Sequence, residues 1–130
     1  MSVFEKALAV GLKAGLKAGR TSLTYTPVAS PGSPIALYGV QGKKLWKIQD
    51  PGEPVVIVKS VDFLIEVADL TLDGVLLEPA RDDTITRQRG SFNYIYKVLP
   101  MGKETPLFEY SDTGQTVYRI HTKYFKKEAV

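Results

Sequence analysis

The stretch VVIVKSVDFLIEV, residues 55 to 67, is the strongest apolar run in the chain. Thirteen residues with this many β-branched side chains predict one long or bent strand, or two strands that meet near Ser60. The fold class depends on whether strands or helices flank this run.

Short strands and turn-forming residues lie on both sides of it. Alternation of apolar and polar residues predicts further strands at 22–26, 35–40, 84–86, 91–99, 107–110 and 115–125. The segment PVASPGSP at 27–34 is predicted to be a loop, and the polar segment 41–54 a long one that contains the turn Asp50-Pro51-Gly52. About seven short strands with frequent turns predict a mainly β protein, a single small antiparallel β-barrel or sandwich.

The amino-terminal segment differs from the rest and predicts an amphipathic α-helix over residues 2–19. Ser2 and Glu5 match a capping box. The glycines in GLKAGLKAGR, 11–20, weaken the helix, so it is expected to dock on a protein partner or on the β-barrel. Its interface candidates form one apolar and one basic stripe: Leu8, Leu12, Leu16, Lys13, Lys17 and Arg20.

Composition narrows the class of protein. The 130 residues carry a net charge of +3 and no cysteine, which excludes a disulfide scaffold, cysteine-ligated zinc and thiol catalysis. The sequence contains no run of eighteen apolar residues, so no transmembrane helix is predicted. We expect a single domain over 1–130, with the helix at 2–19, the barrel at 21–125 and a loose tail at 126–130.

The two ends of the chain are basic. Residues 1–20 hold four bases and one acid, and residues 119–130 also hold four bases and one acid, so each end contributes +3. The remaining residues, 21–118, hold nine bases and twelve acids and contribute −3. These ends are either solvated surface or meet an acidic partner, such as another subunit, nucleic acid or lipid.

The chain contains no recognisable catalytic or metal-binding motif. His121 is the sole histidine and lies in a predicted strand, where a structural role is the simpler interpretation. Phosphate loops, dinucleotide fingerprints and nucleophile elbows are absent from the sequence. We therefore expect no enzyme activity, no cofactor and no metal.

The basic segment around Trp46, the only tryptophan, admits two interpretations. Lys43, Lys44 and Lys47 surround it, a combination that can contact phosphate and stack a base. A tryptophan beside alternating lysines is also typical of a core or interface anchor. Trp46 is therefore a partner-interface candidate, and the three lysines are candidates for contact with DNA.

A set of segments between residues 23 and 123 resembles a known family. These segments are LTYTP (23–27), VDFLIEVADL (61–70), EPARDDTI (78–85), Tyr96-Lys97-Val98 and YRIHTKYF (118–125). Together they resemble the small head–tail joining proteins of tailed bacteriophages, the head-closure or stopper group at the virion neck. Asp82 stands where that family tends to have glycine.

The resemblance implies a structural protein of the virion that is made in the host cytoplasm. It implies a homo-oligomeric ring between the portal or adaptor and the tail, one that lines or closes the DNA channel, with non-specific contact to packaged DNA and no membrane partner. If the segment around Trp46 points into the channel, Lys43, Lys44 and Lys47 face the phosphates. The alternatives are a tail-completion or minor tail protein, and an OB-like module that binds single-stranded nucleic acid.

Overall fold

The computed structural model describes residues 20 to 130, which fold into a mainly β structure. The strands of this part of the chain are β1 (Thr21–Thr26), β2 (Ile35–Ile48), β3 (Val56–Glu66), β4 (Thr71–Leu72), β5 (Val75–Leu76), β6 (Thr84–Arg89), β7 (Phe92–Val98), β8 (Phe108–Tyr110) and β9 (Val117–Ala129). A 3₁₀ turn at Val67–Asp69 follows β3. The mainly β prediction is confirmed, whereas the helix predicted over 2–19 lies outside the described residues. No helix between residues 20 and 130 is long and apolar enough to cross a membrane.

Seven strands form one sheet in the order β3-β2-β1-β6-β7-β9-β8, and β4 pairs with β5 in a separate hairpin. In addition, β3 pairs with β9, from Val61 opposite Thr122 to Glu66 opposite Val117. This extra pairing joins the two halves of the sheet. The six strands β3, β2, β1, β6, β7 and β9 therefore form an unbroken cycle of antiparallel pairs, which we call the strand cycle.

The hydrophobic core lies on one face of these strands. Successive side chains of a strand point to opposite faces, so every second residue is available for the core. Leu23 and Tyr25 alternate with threonines in β1, and Phe63 and Ile65 alternate with polar or half-buried residues in β3. The buried core residues are Leu23, Tyr25, Leu37, Phe63, Ile65, Leu70, Ile85, Tyr96, Val98, Tyr118 and Ile120.

Gly39 marks the tightest packing in β2. A Cβ atom at this position would lie 2.8 Å from the Leu64 carbonyl oxygen and 2.9 Å from Cδ1 of Leu23. Because the first neighbour is backbone, Gly39→Ala is expected to lower the free energy of unfolding by about 2 kcal/mol, as overpacking does in dense cores. Gly42→Ala, in the same strand with no atom within 4 Å of the added methyl, is the matched control. Equal urea-denaturation midpoints for the two variants would contradict this prediction.

The segment predicted as a long loop at 41–54 is a strand over its first part. β2 continues to Ile48, which pairs with Val56 of β3. The loop prediction is wrong for residues 41–48: polar and apolar residues do not alternate there, but backbone pairing with the strongly apolar β3 makes the segment a strand. We call residues 44–48 and 56–60 the arm, since they pair with each other beyond the last β3–β9 pair at Val61.

The last strand is also longer than predicted. β9 extends to Ala129, and its residues 126–129 pair with residues 92–95 of β7. The prediction of a loose tail at 126–130 is therefore wrong for 126–129, because backbone pairing orders a segment whose polarity alone indicates solvent exposure. A bulge leaves Phe125 as the extra residue between the pairs that Tyr124 and Lys126 make.

Candidate functional site

Trp46 lies on the arm and holds it against the strand cycle. Its indole Nε1 donates a hydrogen bond to the Ser60 hydroxyl at 3.0 Å. The ring meets the His121 imidazole edge to face, with centroids 4.8 Å apart, and the Lys44 ammonium lies 4.1 Å from its centroid. The indole is half-buried, so in this subunit Trp46 acts as an anchor of the arm.

A buried carboxylate organises the base of the arm. Asp62 is 1% exposed and accepts hydrogen bonds from Ser60 at 2.6 Å, from Nε of Arg119 at 2.6 Å and from Nδ1 of His121 at 3.0 Å. Arg119 also donates from Nη2 to the Lys43 carbonyl at 3.1 Å, which ties β9 to β2. Burial alone raises the pKa of the Asp62 carboxyl, but the hydrogen bonds from His121, Ser60 and Arg119 outweigh it and hold this pKa below its usual value.

His121 completes this network from β9. Its ring is fully buried, and the bond from Nδ1 to Asp62 orients it. Nε2 lies 3.6 Å from a Glu109 carboxylate oxygen, beyond ordinary hydrogen-bond length, and has no other partner within residues 20–130. Glu109 instead pairs with the Lys44 ammonium at 3.2 Å.

The hydrogen bonds around Asp62 are arranged to hold the arm in place rather than to carry out a reaction. The Ser60 hydroxyl donates to Asp62 and accepts from Trp46, so it is not presented to the imidazole as a nucleophile. No group of three metal-ligating side chains occurs in the part of the chain that the structure describes. What the arrangement does is fix the position of the arm through three strands.

The three lysines predicted to contact DNA do not lie together. Lys44 is on the same side of the arm as Trp46 and is engaged by Glu109. Lys43 and Lys47 lie on the opposite side, where alternation also places Leu45. Arg20 lies just before β1 with its guanidinium 4.7 Å above the Tyr38 ring. The candidates Leu8, Leu12, Leu16, Lys13 and Lys17 lie outside the described residues.

The side of the arm opposite Trp46, which continues the core-facing side of β2 and β3, is an exposed apolar and basic surface. Leu45 is 68% exposed and Ile57 is 63% exposed. Lys59 is directly opposite Leu45, and Lys47 is directly opposite Ile57. We call this surface the arm face; its members are Leu45, Lys47, Ile57 and Lys59 on the arm and Lys43 at its base, opposite Val61.

A second surface, which sequence reasoning missed, lies where β7 and β9 extend together. Lys97 and Lys123 are directly opposite each other, and Lys126 follows on the same face beyond the bulge. The Phe125 ring lies between two lysine ammonium groups. Its centroid is 4.1 Å from the Lys97 ammonium and 5.3 Å from the Lys126 ammonium. We call Lys97, Lys123, Phe125 and Lys126 the aromatic–basic face.

The charge around this face is strongly positive. Residues 84–98 and 123–129 hold six bases and one acid, a net +5, and Lys126 pairs with that acid, Glu128, at 2.9 Å. The basic carboxyl-terminal segment and its aromatic residues were visible in the sequence. The pairing that brings β7 alongside them was not, because it joins residues about thirty positions apart.

Comparison with known protein families gives a match. A family model described as phage head-tail joining protein matches residues 1–129 of the chain. Among curated proteins, no sequence matches it.

Proposed function

The chain belongs to the phage head–tail joining protein family, and we propose on that premise that it is a ring-forming subunit of the virion neck, between the portal or adaptor and the tail. The family match, which spans residues 1–129, is the observation that carries this proposal. The family is one of structural virion components, and the described residues contribute supports and surfaces of the kind an assembly protein uses. A structural role of this kind supports our proposal that the protein has no enzyme activity.

Two features of the subunit support assembly. A cycle of strand pairs is the connectivity of a β-barrel, and we take the strand cycle to be the barrel of one domain over residues 1–130. The arm projects beyond it with Leu45 and Ile57 uncovered. Exposed apolar residues of this size, grouped on one surface, favour contact with another protein. The helix predicted over 2–19 is proposed to dock on a neighbour through its leucines, with Lys13, Lys17 and Arg20 toward an acidic surface.

Placement of the chain in the neck is testable by assembly. We expect DNA-filled heads made without this protein to fail to join tails, and the purified chain to restore joining and infectivity. Electron microscopy of the restored particles should show its density at the neck. Binding to head-free tails, with none to tail-free heads, would instead favour the tail-completion role. Normal joining by particles that lack the protein would contradict the proposal.

We further propose that the aromatic–basic face makes the non-specific contact with packaged DNA. Three lysine ammonium groups share this face, and cation–π contacts with Phe125 hold two of them in place. Of these three lysines only Lys126 has an ion pair within residues 20–130, with Glu128, whereas Lys44 is paired with Glu109 and lies apart from Lys43 and Lys47. Lysines gain affinity for duplex DNA by releasing condensed counterions from the phosphates, without sequence preference.

The DNA contact predicts a specific change in salt dependence. Replacing Lys97, Lys123 and Lys126 together with glutamine is expected to reduce the slope of log affinity against log salt for a DNA duplex by about 2 to 3, close to 0.9 for each lost phosphate contact. The control, with equal loss of charge, replaces Lys43, Lys47 and Lys59 with glutamine. If the control variant loses more of the salt dependence, the lysines of the arm make the contact with DNA, as the sequence predicted for Lys43 and Lys47. Tighter binding to single strands than to duplex, by the monomer, would favour the OB-like module.

A further inference from the structure

The strand cycle opens at one end into two extensions. β2 and β6 both run antiparallel to β1, so both leave the cycle at the end where β1 begins, at Thr21. One extension is the arm. β6, β7 and β9 form the other, because β6 and β9 pair only with β7 beyond Thr86 and Thr122 in the described chain. We call residues 87–94 and 123–129 the three-stranded extension.

The core-facing sides of the two extensions line one opening, which continues from the core. In the arm, this side is the arm face. In β6, alternation from the core residue Ile85 places Arg87 and Arg89 on the same side. Tyr94 packs against the core from β7, and Lys127 of β9 lies directly opposite it.

The charged residues that line the opening are all bases. Arg87 donates a hydrogen bond to the Gln41 side chain of β2, which joins the two extensions at the base of the opening. Among the described residues, the core-facing sides of both extensions carry no carboxylate, and none of their bases takes part in an ion pair. An occupant that fits the opening must therefore be negatively charged. The bases are Lys43, Lys47, Lys59, Arg87, Arg89 and Lys127.

The edge of β3 beside this opening is unpaired. Residues 56–60 pair with β2 on one side, and no strand of the described chain pairs with their other side, because β9 leaves β3 for β7 at Thr122. Lys59 is the only charged residue of this stretch, and Val56 is 53% exposed. An apolar strand edge of this kind is a template for one further strand. A third strand would also stabilise the arm, since a two-stranded ribbon is marginally stable in water.

These features together favour a polypeptide over a nucleic acid. Phosphates would neutralise the bases, but a nucleic acid has no peptide backbone to pair with β3 and no aliphatic side chains to cover Val56. In an added strand, successive side chains point to opposite sides. Those on one side face the basic opening, and those on the other lie beside Val56 and Val58, on the Trp46 side of the arm. The best occupant therefore alternates carboxylates with large apolar side chains.

We propose that an extended segment of another protein, in which carboxylates alternate with large apolar side chains, binds as a third strand of the arm on the free edge of β3. Its carboxylates face Lys59 on β3 and Lys127 on β9, and its apolar side chains cover Val56 and Val58. Residues 1–19 of this chain carry three bases and one acid, so they do not supply this charge. The site belongs to a single subunit and does not depend on the proposed ring.

A synthetic peptide tests the site directly. We expect a ten-residue peptide of alternating glutamate and leucine to bind the full-length chain in calorimetric titration. The same peptide with lysine in place of glutamate should bind about tenfold more weakly or not at all. Hydrogen exchange should show new protection of amides in residues 56–60, which a contact through side chains alone would not produce. Equal binding of the two peptides, or binding without this protection, overturns the proposal.

Two double variants locate the peptide. Lys59→Gln with Lys127→Gln is expected to weaken binding about five- to tenfold. Arg81→Gln with Lys103→Gln removes equal charge at exposed positions outside both extensions and is the control. An equal loss in the control would mean that the peptide responds only to net charge, and the site would be wrong.

Two further outcomes would assign the edge to a different occupant and overturn the proposal. One is tighter binding of a ten-nucleotide oligothymidylate than of the acidic peptide, lost in the Lys59→Gln, Lys127→Gln variant, which would indicate nucleic acid. The other is peptide binding that appears only when oligomers of the chain dissociate, followed by light scattering, which would indicate a second copy. A chain that binds the peptide as a monomer and forms no oligomer would contradict the ring while supporting this site.

Discussion

Asp62→Ala is expected to lower the free energy of unfolding by about 3 to 5 kcal/mol, the usual effect of removing one partner from a buried ion pair. The substitution leaves the His121 ring buried without its acceptor and removes the main partner of the Arg119 guanidinium. Ser60, which also supports Trp46, loses its acceptor as well. The arm should therefore loosen before the strand cycle opens, and Trp46 fluorescence together with urea denaturation measures both events.

Glu109→Ala is the matched control for this prediction. Glu109 also touches the network, but its pair with Lys44 is partly exposed on both sides. Exposed ion pairs contribute only about 0 to 1 kcal/mol. A similar loss of stability in the two variants would mean that the buried carboxylate has no special role.

The pH dependence of stability follows from the same carboxylate. The folded-state pKa of Asp62 lies below its ordinary value of 3.8. Its contribution to stability is therefore complete above pH 3.8 and is lost as the pH falls through the lower folded-state value. Asp62→Asn should remove this part of the acid sensitivity, so its stability should decline less steeply than that of the unsubstituted chain in this range.

The second large effect is expected at Asp83, where substitution by alanine should cost about 3 to 5 kcal/mol. Its carboxylate is 3% exposed and accepts hydrogen bonds from the Tyr25 hydroxyl, the Val28 amide at 2.8 Å and the Ala80 amide at 2.9 Å. Each hydrogen bond to a charged group contributes about 1.5 to 3 kcal/mol, and the Tyr25 hydroxyl would remain buried without an acceptor. Thermal and urea unfolding measure the loss.

Two variants separate the contributions at this site. Tyr25→Phe removes one donor and should cost less than Asp83→Ala, because the two backbone amides keep their acceptor. Burial, followed by the hydrogen bond and charge of Asp83, raises the pKa of Tyr25 far above its ordinary value, so this hydroxyl keeps its proton and donates to Asp83 at neutral pH. Asp82→Asn, at the exposed neighbouring residue, should change stability little. An equal loss for Asp82→Asn and Asp83→Ala would contradict the assignment.

The Asp82-Asp83 pair shows what a resemblance to a family adds to single-sequence reasoning. The family tends to have glycine where this chain has Asp82, and the backbone there has a φ of 73°, in the left-handed region that glycine adopts most easily. The resemblance to the family therefore indicated that the backbone at residue 82 is left-handed. It did not indicate the role of Asp83. Its partner Tyr25 lies 58 residues away, and no local pattern connects the two.

The core was predictable because alternation is a local signal. The run at 55–67 forms one strand over most of its length, Val56–Glu66, and the alternation of Leu23 and Tyr25 places both in the core. The network was not predictable, because Asp62 and its partners Arg119 and His121 are 57 and 59 residues apart. One signal was available: Asp62 is a charged residue inside the most apolar run of the chain, where an unpaired charge is too costly to keep.

The pairing of β9 with both β3 and β7 determines when the strand cycle can close. The strand that joins β3 to β7 comes after all the other strands of the cycle in the sequence, and pairs such as Val61 with Thr122 span about half of the chain. During synthesis, β1, β2 and β3 are complete while their closing partner does not yet exist. The strand cycle therefore cannot close until β9 has been synthesised, so closure depends on contacts between segments that are distant in the sequence.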